Sequence, residues 1–499
     1  MIQKYRFGTP INTDAVVQDI PSAPMDKKIS EGNQNLFSLA EINSTDSFTL
    51  TIKMQAQDAV YGLGEANRGI NKRGYCYVSH CNDDPNHTEE KVSLYGAHNF
   101  ILLAGSKFFG LFFDYPSDIC FDIGYTTRDT LTVTTSEANL DVYLITGTSS
   151  YDVIHQFRQL IGQSYIPPLW AFGYIQSRWG YKNEEDIRRV AAGYRDNHLP
   201  LDSISMDIDY MDHYKDFTVD LDRFPDLSAF SAEMKEQGLH FIPIIDAGVK
   251  IESGYNVYED GVKNNYFCKC EDGTDFVAGV WPGKTHFPDM LNKNARRWFG
   301  LQYKSLIDQG IEGFWNDMNE PAIFYSEEGL AEAFEKMDEL KQFKDNPDLN
   351  AFWSMCATFN ISNLQKDYEH FYHNIDGKTV RHDKVHNLYG FNMTRAAAEG
   401  FDEICPEKRM LLFSRSSYIG MHRYGGIWTG DNQSWWSHLL LNIKMMPSLN
   451  MCGFLYSGAD IGGFGSDTTE DLVMRWIQLA MFSPLMRNHT ALGTRMQEV

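Results

Sequence analysis

Two patterns of hydrophobic and polar residues divide the chain. Up to about residue 165, short runs such as 47–52 and 130–134 alternate apolar and polar residues between turn residues. This period of two is typical of strands with one buried face. The neighbouring runs 99–104 and 108–113 indicate a β-hairpin. We therefore predict an N-terminal β-sandwich over residues 1–165.

From residue 166 onwards, apolar runs alternate with amphipathic segments. Helical periodicity is clearest over 184–197 and 227–237. The eight strand candidates are 172–175, 203–206, 241–245, 313–315, 410–413, 426–428, 453–456 and 483–489. Eight such alternations predict an α/β domain over 166–499, a (β/α)8 TIM-type barrel with insertions at about 249–290 and 326–380.

Composition narrows the classes of partner. The net charge of −23 argues against nucleic acid and against an anionic membrane surface, and it fits a neutral substrate better than a phosphorylated one. No run approaches 18 apolar residues, so no membrane span is expected. The eight cysteines are scattered and no export signal precedes them, which favours reduced thiols and a cytoplasmic location.

Polar residues follow nearly every strand candidate. In order they are Arg178, Trp179, Asp207, Asp209, Asp246, Asp317, Arg415, Asp431, Asp460 and His489. The carboxyl ends of barrel strands converge on one rim, where the active sites of such barrels lie. A single acid in this position is usually a helix cap. The ordered series, together with nearby Trp and Phe residues, instead indicates a site for an uncharged sugar that passes through a cationic transition state.

Hydrolysis of a glycoside requires two carboxyl groups on opposite sides of the bond. Asp317 and Asp431 end the fourth and sixth strand candidates, and even-numbered strands share side-chain layers. Glu320, which follows Asn319, could instead resemble the Asn-Glu acid/base of cellulase-like barrels. That scheme needs a glutamate at the end of the seventh strand, where the sequence has Asp460. The sequence therefore favours Asp317 with Asp431.

The chain resembles glycoside hydrolase family 31, a family of retaining α-glucosidases and their relatives. The resemblance rests on W-N-D-M-N-E-P at 315–321 and W-T-G-D-N at 428–432. Supporting matches lie in order at 61–65, 207–211, 413–416, 462–464 and 487–489. Because these motifs span the whole chain in sequence, the resemblance is specific.

The resemblance implies a role for each matching residue. Asp317 is expected to be the nucleophile and Asp431 the general acid and later base, with Arg415 and Trp428 flanking the pair. Asp207 and His489 would hold sugar hydroxyls, and Asp83 would reach the +1 subsite from the N-terminal domain. The apolar wall of the −1 subsite is expected to consist of Ile208, Trp315, Met318 and Phe464. The pocket is expected to be narrowed by Trp179 and Trp281.

These residues predict an exo-acting retaining α-glucosidase that removes terminal glucose from short oligosaccharides of the maltose or isomaltose type. α-Xylosidase and α-glucosyltransferase activities are the alternatives within the family, and a non-catalytic sugar-binding protein is the alternative outside it. No cofactor is expected. The segments 80–87 and 268–270 contain Cys and His without the paired spacing of a structural zinc site, so no metal is expected either.

Two expectations concern assembly and length. The segment 327–344 has a charged and an apolar face, which leaves a solvated helix and a contact in a homo-oligomer as alternatives. The sequence reaches Val499 just after the eighth strand candidate, whereas the family continues with C-terminal β domains. We expect those domains to be absent here, with apolar surface exposed on the barrel.

Overall fold

The computed structural model describes residues 1–23 and 40–499, with backbone alone for 40–44. The first eleven strands are β1 (Ile2–Phe7), β2 (Ala40–Ser44), β3 (Phe48–Lys53), β4 (Ala59–Gly62), β5 (Tyr75–Ser79), β6 (Gly96–Ala97), β7 (Phe100–Ala104), β8 (Phe108–Asp114), β9 (Ile119–Ile123), β10 (Thr130–Thr135) and β11 (Leu140–Gly147). Ten of them form two five-stranded sheets, in the orders β1-β11-β8-β7-β4 and β2-β3-β10-β9-β5.

The two sheets pack face to face, because the buried alternate residues of each point at the other. Phe7 on one sheet meets Phe48 on the other with ring centroids 4.8 Å apart, and Phe113 meets Phe121 at 5.7 Å. The predicted hairpin is confirmed, since β7 and β8 pair antiparallel with Phe100 opposite Phe112. The predicted β-sandwich is therefore present.

A helix, α1 (Ser150–Ile161), leads from the sandwich to the second part of the chain. The first barrel strands and helices then follow as β12 (Tyr174–Arg178), α2 (Glu184–Asp196), β13 (Ser203–Met206), α3 (Leu227–Glu236) and β14 (His240–Ile245). Both predicted helices begin where the sequence pattern placed them, at Glu184 and Leu227. Asn183 and Asp226 cap them by accepting hydrogen bonds from backbone amides.

The first excursion from the barrel lies between β14 and the fourth barrel strand. It contains β15 (Val249–Lys250), α4 (Asn256–Asn264), β16 (Ala278–Val280) and β17 (Gly283–His286). The chain returns through α5 (Lys293–Gln302) and α6 (Lys304–Ile307) to β18 (Gly313–Asn316). Strands β16 and β17 form a hairpin whose tip carries Trp281.

The second excursion follows β18. Its elements are β19 (Tyr325–Ser326), α7 (Glu327–Leu340), α8 (Leu349–Thr358), α9 (Gln365–Tyr368), β20 (Tyr372–Ile375) and β21 (Lys378–Arg381). The barrel resumes with α10 (Tyr389–Ile404), β22 (Leu411–Ser414), β23 (Ser417–Tyr418), β24 (Gly426–Trp428), α11 (Trp436–Met451), β25 (Ser457–Gly458), β26 (Asp460–Ile461), α12 (Glu470–Ala480) and β27 (Met486–Thr490).

The barrel strands are parallel and follow the order β25-β24-β22-β18-β14-β13-β12-β27-β26. Since β25 and β26 are two pieces of one segment, 457–461, the seventh strand closes the ring. The prediction of this strand at 453–456 is wrong, because 452–453 form a turn and pairing begins at Ser457. Gly458 allows the close approach, since a Cβ there would lie 2.0 Å from the carbonyl oxygen of Leu485.

The sandwich and the barrel are joined by hydrogen bonds. Strand β6 pairs in parallel with β23, Ser417 opposite Gly96. The hydroxyl of Tyr418 donates to Asp114 Oδ1 at 3.2 Å. These contacts hold the segment 81–98 of the N-terminal part beside the carboxyl ends of the barrel strands. None of the helices in residues 1–23 and 40–499 is long and apolar enough to cross a membrane.

Candidate active site

Strand β18 delivers Asp317 to the rim of the barrel. Gly313–Asn316 are buried on both faces, and the Asp317 amide still bonds to the carbonyl oxygen of Ile245 at 3.0 Å. The next residue, Met318, has a φ of 56°. This left-handed conformation turns the Met318 amide back so that it donates to Asp317 Oδ1 at 2.6 Å. The turn is strained for a residue other than glycine, and it fixes the carboxylate.

Arg415 is the cation to which the acids of the site converge. It follows β22 and is 2 % exposed. Its guanidinium makes two hydrogen bonds to Glu320, Nε to Oε1 at 3.0 Å and Nη2 to Oε2 at 2.8 Å. Its Nη1 lies 3.0 Å from Asp317 Oδ1 and 3.7 Å from Asp431 Oδ2. Asp83, from the N-terminal part, lies 3.5 Å from Nη2.

The two acids singled out from the sequence differ in their protonation. Burial raises the pKa of Asp317, while Arg415 and the Met318 amide lower it. Burial, with the charges of Asp317 and Asp83, raises the pKa of Asp431 well above its usual range, against the effect of Arg415. Asp431 is therefore the member of the pair that retains a proton, which is the arrangement expected for an acid beside an ionised nucleophile.

Glu320 is fully buried, and burial raises its pKa to about 7. Both of its oxygens are occupied by Arg415, so neither is free to reach a substrate. The geometry therefore agrees with the sequence argument that set this residue aside as the acid.

Asp207, which follows β13, and His489, on β27, lie together on either side of β12. His489 Nε2 is 3.6 Å from Asp207 Oδ2, and His489 Nδ1 is hydrogen-bonded to Ser177 Oγ at 2.7 Å. Burial raises the pKa of Asp207 to about 7 and lowers that of His489 well below its usual value. The pair is therefore a neutral imidazole beside a carboxyl group, both suited to bonding hydroxyls.

Two indole rings form the floor of the site. Trp315 and Trp428 are fully buried, with ring centroids 5.3 Å apart. Arg487 lies over both rings, at 4.5 and 4.9 Å, and its Nη2 donates to Asp460 at 2.7 Å. Sequence reasoning named Arg487 only as part of a motif. Its guanidinium packs on both indole rings and places a positive charge next to them.

The remaining predicted residues surround this centre. Phe464 stacks on His489 with centroids 4.9 Å apart, and Ile208 follows Asp207 in a buried turn. Met318 packs with Val280, which precedes Trp281 in the β16–β17 hairpin. Trp179 and Trp281 meet edge to face at 5.3 Å at the outer side, where Trp281 is partly exposed.

The structure adds Tyr95 and Asp216, which the sequence did not assign to the site, and gives the surroundings of Asp246 from the strand-end series. The ring of Tyr95 lies 4.7 Å below the Arg415 guanidinium, and nothing in the sequence around it distinguishes it. Asp246, at the end of β14, receives no hydrogen bond on either oxygen from the described residues, and its amide donates to Asp216 Oδ1 at 2.8 Å. Burial raises the pKa of both Asp216 and Asp246 well above the usual range.

One group of possible metal ligands is found in the described part of the chain. Its atoms, from Cys268, Asp289 and His373, lie within 4.8 Å of one another and are buried. His373 Nδ1 and Asp289 Oδ1 are already hydrogen-bonded at 2.7 Å, and burial raises the pKa of the Cys268 thiol well above its usual value. Three ligands are also fewer than the four of a structural zinc site. These residues satisfy one another, and no role for a metal is assigned.

Paired carboxyl groups at the carboxyl ends of barrel strands, above a floor of indole rings, are the arrangement with which barrel glycosidases act on neutral sugars. Fold and site together define that class. Within it, the chain belongs to glycosyl hydrolase family 31. The pattern of the family's TIM-barrel domain matches residues 164–499, and that of its N-terminal galactose mutarotase-like domain matches 15–122.

Individual relatives agree with this placement. Alpha-glucosidase 2 of Bacillus thermoamyloliquefaciens is 35% identical over 89% of this chain and 52% of its own length. The alpha-glucosidase of Saccharolobus solfataricus is 30% identical over 94% of this chain and 66% of its own length. The chain thus spans between half and two-thirds of these relatives.

Solved structures give the same fold. The family 31 alpha-glucosidase of Bacteroides thetaiotaomicron superposes with a TM-score of 0.73 at 29% identity, covering 89% of this chain and 67% of that one. A GH31 dextranase of Flavobacterium johnsoniae superposes with a TM-score of 0.76 at 23% identity, covering 90% of this chain and 52% of that one. The predicted fold class is confirmed.

Proposed function

We propose that the protein is a retaining, exo-acting α-glucosidase that releases terminal non-reducing glucose from short oligosaccharides. The observation that carries the proposal is the shared contact of Arg415 Nη1 with Asp317 and Asp431. The names of the relatives, alpha-glucosidases at 30–35% identity, support α-linked glucose as the substrate.

The spacing of the acids supports retention of configuration. Because Arg415 Nη1 lies 3.0 Å from an oxygen of Asp317 and 3.7 Å from one of Asp431, these oxygens are at most about 6.7 Å apart. Retaining enzymes have carboxyl groups about 5–5.5 Å apart, and inverting enzymes about 6.5–9.5 Å. The bound overlaps only the lower edge of the inverting range.

The chemistry then proceeds in two displacements. The Asp431 hydroxyl gives its proton to the glycosidic oxygen, the bond from that oxygen to C1 breaks, and Asp317 forms an ester bond to C1. Asp317 Oδ1 is held by Met318 and Arg415, so Oδ2, which has no partner among the described residues, is the attacking atom. Water then attacks C1 while Asp431 takes its proton, the ester bond from C1 to Asp317 breaks, and glucose leaves with Asp317 again a carboxylate and Asp431 again protonated.

The neighbouring residues supply the subsites. Asp207 and His489 bond hydroxyls of the glucose in the −1 subsite, and Arg415 stabilises the Asp317 carboxylate. Ile208, Trp315, Met318, Trp428 and Phe464 form its apolar wall. Trp179 and Trp281 narrow the entrance, and Asp83 reaches the +1 sugar. In this proposal these residues together surround the end of a short oligosaccharide.

Replacing Asp317 with Ala tests the nucleophile. The variant cannot form the ester, so hydrolysis of an aryl α-glucoside should fall by at least about 10³-fold. Asp308→Ala, on the surface beyond α6, is the matched control and should leave the rate unchanged. Turnover by Asp317→Ala at the wild-type rate would exclude the mechanism. The same assay with an aryl α-xyloside separates α-glucosidase from α-xylosidase activity.

The pH profile tests Asp431. For the wild type, kcat/KM should fall at alkaline pH as Asp431 loses its proton, because the raised pKa keeps that proton available up to a pH well above the usual range of aspartate. In Asp431→Asn, measured with an activated aryl α-glucoside that needs no protonation, the alkaline fall should be absent. Its persistence in the variant would assign that limb to another group.

We further propose a cytoplasmic location and self-association of the chain. All eight cysteines are free thiols, which supports a reducing compartment. Phe334, in the predicted segment 327–344, and Trp353, in α8, are more than half exposed, which supports a contact between copies on the second excursion. Light scattering of the purified chain, with Phe334→Glu and Trp353→Glu as the paired variants, measures this association directly.

A further inference from the structure

Three buried histidines of the second excursion form one continuous chain of hydrogen bonds. Asp289 Oδ1 bonds to His373 Nδ1 at 2.7 Å, and His373 Nε2 bonds to His382 Nδ1 at 2.9 Å. His382 Nε2 bonds to His386 Nδ1 at 2.9 Å, and His386 Nε2 bonds to the carbonyl oxygen of Cys81 at 2.7 Å. This series of hydrogen bonds thus runs from the first excursion, through the second, to the N-terminal part of the molecule.

The directions of three of the four bonds in this series follow from the group at its end. A carbonyl oxygen only accepts, so His386 Nε2 carries a proton. Burial lowers the pKa of His386 to about 3 and that of His382 well below its usual value, so both rings are neutral. Each therefore accepts through Nδ1 and donates through Nε2, and His373 donates through Nε2 as well.

The carbonyl at the end of the chain belongs to the loop that carries Asp83. The other side of the same residue is also held from the barrel, because the Cys81 amide donates to Asn387 Oδ1 at 2.8 Å. Two residues further on, Asp83 lies 3.5 Å from Arg415 Nη2. Its carbonyl and one carboxylate oxygen each accept a weak bond from Asn363, at 3.4 Å. The bonds to Cys81 are therefore the shortest direct hydrogen bonds between the barrel excursion and this part of the loop.

We propose that His386, oriented by His382 and His373, is a positioning residue that sets the place of Asp83 and thereby the affinity for the sugar in the +1 subsite. This inference rests on the proposed glycosidase function. His386 Nε2 is a fixed hydrogen-bond donor, and it holds the carbonyl group of Cys81, two residues before Asp83. Loss of that donor removes one of the two hydrogen bonds that hold Cys81 to the barrel side, without touching Asp317 or Asp431.

Two amide variants separate the donor from the ring. In His386→Gln, the amide nitrogen occupies nearly the place of Nε2 and can still donate to the Cys81 carbonyl. In His386→Asn, the amide nitrogen occupies the place of Nδ1 and cannot reach that carbonyl. We expect His386→Gln to keep the affinity for the sugar in the +1 subsite and His386→Asn to lose it. His370→Asn, a partly exposed histidine of the same excursion that pairs with Glu328, is the matched control.

Two substrates distinguish positioning from general damage. A disaccharide (maltose or isomaltose, whichever the wild type cleaves faster) occupies the +1 subsite, whereas α-glucosyl fluoride has no second sugar. For His386→Asn we expect kcat/KM on the disaccharide to fall about 10- to 100-fold, mainly through KM, because a displacement of about 1 Å can cost up to about 100-fold. Hydrolysis of α-glucosyl fluoride should stay within about twofold. His386→Gln should stay within about threefold on both.

Combining His386→Asn with Asp83→Ala completes the test. If His386 acts through Asp83, the double variant should hydrolyse the disaccharide no more slowly than Asp83→Ala alone. Equal losses on both substrates, no loss on the disaccharide, or additive losses in the double variant would each overturn the proposal. A wild-type protein that cleaves neither substrate would instead refute the proposed function, so the two failures are distinguishable.

Discussion

At the scale of single residues, the site is an excess of acids around one guanidinium. Arg415 lies within 4 Å of Asp83, Asp317, Glu320 and Asp431. One positive charge cannot neutralise four carboxylates, so burial and mutual repulsion keep some of them protonated. This imbalance favours a proton on Asp431, and the two displacements of the proposed mechanism depend on that proton.

Substitution of Arg415 should therefore affect stability as well as activity. Arg415→Ala leaves buried acids without a partner, and the free energy of unfolding should fall by about 3–5 kcal/mol. Arg415→Lys retains the charge but loses the paired bonds to Glu320, and we expect a smaller loss of stability with a fall in kcat/KM of at least about 100-fold. Urea unfolding and aryl α-glucoside hydrolysis measure the two effects.

A surface arginine provides the comparison for this prediction. Arg188 pairs with Glu184 and Glu233 while partly exposed, so Arg188→Lys should change the free energy of unfolding by less than about 1 kcal/mol. Similar small effects at both positions would show that the buried cluster does not depend on Arg415.

At the scale of elements, the β16–β17 hairpin brings an aromatic side chain to the entrance. Trp281, at its tip, meets Trp179 at 5.3 Å and Phe324 at 5.0 Å. It is 37 % exposed, so little of the core depends on it. The hairpin is held by antiparallel pairing of Gly279 with Lys284, which presents the ring without help from the sugar.

Trp281→Ala should accordingly reduce recognition and leave folding intact. Loss of one aromatic face is worth about 0.5–1.5 kcal/mol, so kcat/KM on a disaccharide should fall about 2- to 12-fold. The melting temperature should change little. Trp353→Ala, on the exposed face of α8, is the control that should leave the kinetics unchanged. An unaltered kcat/KM in Trp281→Ala would show that this ring does not take part in recognition of the disaccharide.

At the scale of the whole molecule, a buried carboxyl group joins the sandwich to the barrel. Asp114, the last residue of β8, accepts from Thr13 at 2.6 Å and from Tyr418 of the barrel at 3.2 Å. Burial raises its pKa to about 7 from an ordinary value of 3.8. The folded protein therefore keeps a proton at pH values where the unfolded chain has released it.

This difference in pKa predicts that the stability of Asp114→Asn relative to the wild type, measured as the free energy of unfolding, increases with pH. Below pH 3.8 the carboxyl group is protonated in both states and contributes fully, and its contribution is lost as the pH rises towards about 7. Relative to the uncharged variant, the wild type should lose up to about 4 kcal/mol across that range. Urea unfolding of both proteins between pH 4 and 8 checks this. A difference that does not vary with pH would contradict the raised pKa.

The sequence predicted the barrel because its strand runs carry their own signal. Strand β18 begins with the apolar run 313–315 and is followed by polar residues, which is visible without any knowledge of the fold. The seventh strand was misplaced because its pairing residues, Ser457 and Gly458, are neither apolar nor β-branched. They pair because the barrel closes there, which is a property of all eight strands and not of this segment.

The sequence by itself determined the fold class, the family and the acids at the strand ends, since each of these rests on local patterns and ordered motifs. Only the tertiary structure decided which groups meet. The contact of Tyr95 with Arg415, the bond between Asp246 and Asp216, and the series of histidines from Asp289 to Cys81 all join residues far apart in the sequence. Hydrogen bonds and pKa values depend on distance and burial in space, and the order of residues along a chain does not record either quantity.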